Sequence, residues 1–158
     1  MKNTRIIPLT LFAFLLTLAV HAQRHAGSVG IGAQFGQPTG LTFKVYNPAK
    51  LSLEILAAWD LGDFLFVNIH GLIEKPIGSD PKFNYFYGPG IYGGFKDRYP
   101  DNKKFDDGEF TAGISGTLGL NALLGQLEIY LQITPRLQLI DRTDGQFGGG
   151  FGIRFYFP

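Results

Sequence analysis

The chain has 158 residues, 14 basic against 13 acidic, with 22 glycines, 15 phenylalanines and no cysteine. Lack of cysteine excludes disulfides, thiolate metal ligands, a cysteine nucleophile and a lipid-anchored N-terminal cysteine. The near-neutral balance, without a basic run, points away from nucleic acid, and the glycine and phenylalanine content favours turns and aromatic-rimmed strands over helices.

Residues 1–22 read as a secretory signal peptide. Lys2 and Arg5 precede an apolar core from Leu9 to Val20, and Val20-His21-Ala22 supplies an Ala-terminated cleavage site. That core is too short to cross a bilayer as a helix. Its removal takes two basic residues and no acidic ones, so the formal charge moves from +1 to −1. Residues 23–158 then suit a single domain, with no Pro- or Ser-rich linker to divide it.

Strand one runs from Ser28 to Phe35, with Val29, Ile31, Ala33 and Phe35 on one face and Gly30, Gly32 and Gln34 on the other. Gly36-Gln37-Pro38-Thr39-Gly40 turns the chain, and strand two sets Leu41, Phe43 and Val45 against Thr42, Lys44 and Tyr46. After Asn47-Pro48-Ala49-Lys50, strand three carries Leu51, Leu53, Ile55, Ala57 and Trp59 opposite Ser52, Glu54, Leu56 and Ala58. Strand four, Phe64 to Glu74, turns Leu65, Val67, Ile69 and Ile73 one way and Asn68, His70 and Glu74 the other. Residues 75–82, KPIGSDPK, are expected to form a polar connection.

Strand five, Phe83 to Lys96, is aromatic on its apolar side through Phe83, Tyr85, Tyr87 and Phe95, and Pro89 lies within it. The charged stretch 97–109, DRYPDNKKFDDGE, is expected to be a solvated loop. Strand six places Phe110, Ile114, Leu118 and Leu120 against Thr111, Ser115, Thr117 and Asn121, and Gly125-Gln126 closes a hairpin. Strand eight ends the chain with Phe147, Phe151, Ile153, Phe155 and Phe157 on one face and Arg154 and Tyr156 on the other.

Strand seven decides what the others mean. Residues 127–140, LEIYLQITPRLQLI, alternate Leu127, Ile129, Leu131, Ile133, Pro135, Leu137 and Leu139 with Glu128, Tyr130, Gln132, Thr134, Arg136 and Gln138. Fourteen residues at ~3.3 Å reach roughly 46 Å, and a tilt near 45° leaves about 32 Å of height, close to a bilayer's hydrocarbon thickness. With the apolar face toward lipid, Glu128 and Arg136 sit in the lumen; a one-residue slip would cost ~2–4 kcal/mol at Arg136 alone.

Eight strands in lipid need closure of the first on the last, because no open edge can leave its N–H and C=O groups unpaired there. The expected fold is therefore all-β: an eight-stranded antiparallel up-and-down transmembrane β-barrel. With both termini in the periplasm, residues 97–109 fall outside the cell. Phe35, Trp59, Phe95, Phe110 and Phe147 then form an outer aromatic girdle, and Phe83, Phe155 and Phe157 an inner one.

The inward ionisable residues are Lys44, Glu54, His70, Glu74, Glu128, Arg136 and Arg154. Since eight strands leave room only for side chains, these are expected to pair into a plug. No catalytic residue, metal ligand or cofactor site is assigned. Gly88-Pro89-Gly90-Ile91-Tyr92-Gly93 matches a dinucleotide-binding spacing, but it opens no helix. His70 is the only histidine within the strands, so a nucleophile and base on the lipid face have no candidate. Asp101, Asp106 and Asp107, among the loop acids that also include Asp97 and Glu109, could hold a calcium ion, but their spacing fits no known calcium loop. An extracellular partner for that loop is the remaining binding expectation.

Four stretches, GQPTGLTFK (36–44), YGPGIYGG (87–94), LEIY (127–130) after the glycines of strand six, and GIRFYF (152–157), resemble small, largely uncharacterised eight-stranded outer-membrane proteins of OmpA/OmpX-type architecture. The resemblance spans residues 27–157. It implies the outer membrane as location, with its lipid and lipopolysaccharide as surroundings, and an aromatic ending read by the outer-membrane assembly machinery. Pro158 after Phe157, and Pro89 and Pro135 within strands, depart from the pattern. The resemblance implies no agreed activity. Beside the non-enzymatic envelope barrel stand two alternatives: a lipid-A-modifying outer-membrane enzyme, and a soluble lipocalin-like periplasmic ligand carrier with its apolar face turned inward.

Overall fold

The computed structural model describes residues 24–60, 64–96, 109–140 and 143–157. The expected signal segment 1–22 and residues 97–108 of the expected loop lie outside them, as does the side chain of Glu109. The described residues contain no helix and form eight strands: β1 (Val29–Gln37), β2 (Gly40–Val45), β3 (Ser52–Asp60), β4 (Phe64–Ile77), β5 (Asp80–Lys96), β6 (Glu109–Leu124), β7 (Leu127–Gln138) and β8 (Asp144–Phe157). Each pairs antiparallel with the next, and β1 pairs with β8, closing an up-and-down barrel. The end that holds Val29 and Phe157 is called the terminal end below, and its opposite the far end.

The register fixes the shape. Starting at Tyr156, paired positions run through Gly30, Lys44, Glu54, His70, Gly90, Ser115 and Arg136 and return to β8 at Gln146. One circuit therefore climbs ten residues along β8, from 156 to 146. At ordinary strand spacings, eight strands with that offset tilt by roughly 40° around a backbone radius of about 8 Å. Side chains fill such a bore.

The alternation places the apolar face outside. Leu131 is 60% exposed and Ile153 40%, while Glu128 and Arg154 are 0% exposed. Every buried aromatic of the lumen stands opposite a glycine on the following strand: Phe66 with Gly94, Phe86 with Gly119, Tyr92 with Gly113, Tyr130 with Gly152 and Tyr156 with Gly30. A Cβ added at Gly119 would meet the Phe86 ring, and one at Gly152 the Tyr130 ring. The inward glycines are thus the space into which rings lean, a packing role that also covers Gly90 beneath His70.

The mid-strand prolines Pro89 and Pro135 are accommodated in one way. The β4–β5 ladder lapses at Gly71–Leu72 opposite Gly88–Pro89, and the β6–β7 ladder at Gly116–Thr117 opposite Thr134–Pro135, without a change of register. Each proline brings no N–H to one neighbour, and each faces a glycine across the lapse. At the second, Thr117 Oγ1 donates to the Ile133 carbonyl at 3.3 Å. A cavity of about 380 Å³ opens beside it, lined by Ile114, Gly116, Pro135, Leu137 and Phe147 with Ser115, Arg136 and Gln146.

One expectation is corrected. Residues 75–82 are not an eight-residue connection: β4 continues to Ile77 and β5 starts at Asp80, so Gly78 and Ser79 alone make the turn. Gly78 takes a positive φ of 69°, which glycine adopts without steric cost, and a register shift at Pro76/Ile77 absorbs the second proline of the hairpin. Polar composition concealed a continuing ladder. Smaller differences are that β7 ends at Gln138 and that β8 starts three residues before Phe147.

Candidate functional site

Six ionised side chains meet in the terminal half of the lumen. Glu128 on β7 and Arg154 on β8 are register partners, as are Lys44 on β2 and Glu54 on β3. Lys44 Nζ donates to Glu74 at 2.8 Å and to Glu128 at 3.1 Å. Arg154 reaches Glu128 at 3.2 Å through Nη1, Glu54 through Nη2 and the Thr42 hydroxyl through Nε, with its guanidinium 3.8 Å from the Tyr130 ring centroid. Asn121 donates to Glu128 at 2.6 Å and to Glu74 at 3.0 Å, and the Tyr156 hydroxyl donates to Glu128 at 2.8 Å.

The sixth member is Arg24, which precedes β1. Its guanidinium pairs with Glu74, approaches Glu128 at 3.8 Å and lies 3.5 Å over the Tyr46 ring. Cations Arg24, Lys44 and Arg154 then balance carboxylates Glu54, Glu74 and Glu128. Burying each ion costs several kcal/mol, which mutual attraction offsets only where the remaining lone pairs are also satisfied. Glu128, with four donors from four residues, meets that condition most fully.

His70 bridges this network to the mid-lumen. Its Nδ1 lies 3.5 Å from Glu54 Oε1, and its Nε2 lies 3.2 Å from Ser115 Oγ. The order Glu54–His70–Ser115 is that of a hydrolytic relay, but the surroundings do not complete one. Ser115 Oγ donates to Asn68 Oδ1 at 2.9 Å, and Glu54 is held by Arg154. The side chains also point inward, away from the apolar outer face of the barrel.

Arg136 does not join the ion pairs, contrary to expectation. It sits far up β7, where its guanidinium lies 5.0 Å from the Phe66 ring and 5.9 Å from the Tyr92 ring, and no carboxylate among the described residues lies within ion-pair distance. Charge counting could not reveal the substitution of Arg24 for Arg136, because either arginine balances three carboxylates. Strand level could have: Glu54, Glu74 and Glu128 all lie toward the terminal end, and Arg136 toward the other. Arg24 was missed because it precedes the alternating pattern. Also unforeseen were the apolar lumen clusters, Ala58 with Phe66 and Tyr92, and Leu72 with Phe86 and Tyr130.

The eight aromatics expected in the girdles are all exposed on the outer face, most of them toward one end or the other. Trp59, Leu65, Phe95 and Phe110 follow one another in register near the far end, with the Phe95 and Phe110 rings 5.8 Å apart. Phe35 stacks on Phe151 at 5.5 Å, and Phe147 is 81% exposed. Phe83, Phe155 and Phe157 are exposed toward the terminal end, the last two in an edge contact at 5.3 Å.

No protein-family model matches the sequence, and no curated protein does. Among solved structures, the N-terminal β-barrel domain of Pseudomonas aeruginosa OprF matches with a TM-score of 0.64 at 13% identity, over 85% of this chain and 100% of that one. At that identity the likeness is one of fold, and the chain is an eight-stranded antiparallel barrel similar in fold to the OprF barrel domain.

Proposed function

We propose that the chain is a non-enzymatic integral outer-membrane β-barrel protein with a lumen plugged by side chains, serving envelope structure and surface contact through residues 97–109. The observation that carries this reading is the inversion of the barrel, with Leu131, Ile91 and Phe147 outermost and Lys44, Glu54, Glu128 and Arg154 fully enclosed. In water, an apolar exterior running round all eight strands would far exceed the few hundred Å² that a monomer usually leaves in one patch. In a bilayer it is the required surface, and closure satisfies the backbone. The likeness to the OprF barrel domain supports the same class of barrel.

On this reading, residues 1–22 direct export, the exposed aromatics toward the two ends are interfacial girdles, and the partners are outer-membrane lipid, lipopolysaccharide and the assembly machinery that reads the ending at Phe157. The lipocalin-like alternative needs the apolar face inside, and the geometry is the reverse. The direct test is electrophoresis of outer-membrane fractions with and without boiling. A barrel that resists SDS until heated and then changes mobility is expected, whereas release of the chain by carbonate without detergent would overturn the assignment. Purified protein in planar bilayers should show no steady conductance.

A further inference from the structure

We propose that the far half of the lumen is a binding site for an oxyanion, a phosphate or carboxylate group, and that Arg136 holds it. Among the described residues, the terminal half compensates every one of its permanent charges, whereas Arg136 has no carboxylate partner. Its Nε is buried without a hydrogen-bond partner, and the Tyr92 hydroxyl beside it is in the same condition. A buried donor left unmatched costs free energy, more so on a charged group. Two such donors on residues whose guanidinium and ring lie 5.9 Å apart call for an acceptor.

The guanidinium is also held in the right attitude. The Phe66 and Tyr92 rings, stacked on each other at 5.6 Å, lie 5.0 and 5.9 Å from its Cζ, and Gly148 leaves it room, since a Cβ there would strike the guanidinium nitrogen. Ring contacts occupy the face of a guanidinium and leave its edge free, and that edge is the fork that takes two oxygens of a phosphate or carboxylate at once. Asp144, inward on β8 and nearer the mouth, forms no ion pair with Arg136. Access is from the far end, because the ion cluster and the Leu72, Phe86 and Tyr130 cluster fill the other. The inference needs a closed barrel but not a membrane, so it can fail while the outer-membrane reading stands, and the reverse.

The test is NMR of the refolded barrel in zwitterionic micelles, following the Arg136 Nε–H resonance, identified by its loss in Arg136→Gln. Heat-modifiable mobility checks that the variant folds. Titration with inorganic phosphate, and separately with acetate, should shift that resonance and the signals of Tyr92 along a saturating curve, and the Tyr92 response should vanish in Arg136→Gln. A parallel sample in nanodiscs of anionic phospholipid without free phosphate separates a lipid headgroup from a soluble anion as the source. A flat or linear response to both anions and to the anionic lipid, or a Tyr92 response that persists in Arg136→Gln, would overturn the proposal.

Discussion

The two halves of the lumen use the same residue to opposite ends. Arg154 is tied to two carboxylates and a hydroxyl in the terminal half, whereas Arg136 in the far half rests on rings with its Nε unclaimed. Both are inward residues of neighbouring strands in a bore about 8 Å in radius. What separates them is height: the register brings Glu54, Glu74 and Glu128 to the terminal half with Arg154, and among the described side chains no carboxylate pairs with Arg136. An interior arginine is thus a structural clamp or a vacant donor according to its level alone.

Substitutions can break this contrast in graded steps, read by urea unfolding of the refolded barrel with Trp59, the single tryptophan, as fluorophore. Arg154→Ala should be the most damaging. It strands Glu54 and Glu128 with too few donors, and losing one member of a buried ion network costs about 3–5 kcal/mol. Gly152→Val drives a side chain into the Tyr130 ring, and overpacking of this kind costs about 1–3 kcal/mol. Arg24→Ala leaves the cluster one positive charge short at its edge, with an expected loss of about 2 kcal/mol, the scale of a hydrogen bond to a charged group.

Arg136→Met should be the mildest, within about 1 kcal/mol of the parent, because no ion pair is broken and a flexible apolar chain can still cover the two rings. A loss there as large as at Arg154 would erase the distinction between the halves.

Much of the barrel was readable from alternation alone. A two-residue period carries its own face assignment, so Leu131 and Ile153 outside and Lys44, Glu54 and Glu128 inside follow from the pattern once one register is decided. The hairpin at 75–82 was not readable, because Lys75, Ser79 and Asp80 look like loop while the ladder runs through most of them. The pairing of charges was unreadable for another reason. Periodicity gives the side of the wall but not the level across it, and only the cross-strand register brings Arg24, Lys44 and Glu74 together while parting Arg136 from all three carboxylates.

The lean of the Phe86, Tyr130 and Tyr156 rings toward the following strand gives the interior a hand. Exchanging Tyr130 with Gly152 would keep composition and total volume, yet the relocated ring would tip toward β1 instead of β8, onto Gln34 and Gly32 rather than into its own vacated space. Mirror-related swaps in this bore are therefore not equivalent, and the glycine of each pair can be traded only in the direction the wall is wound.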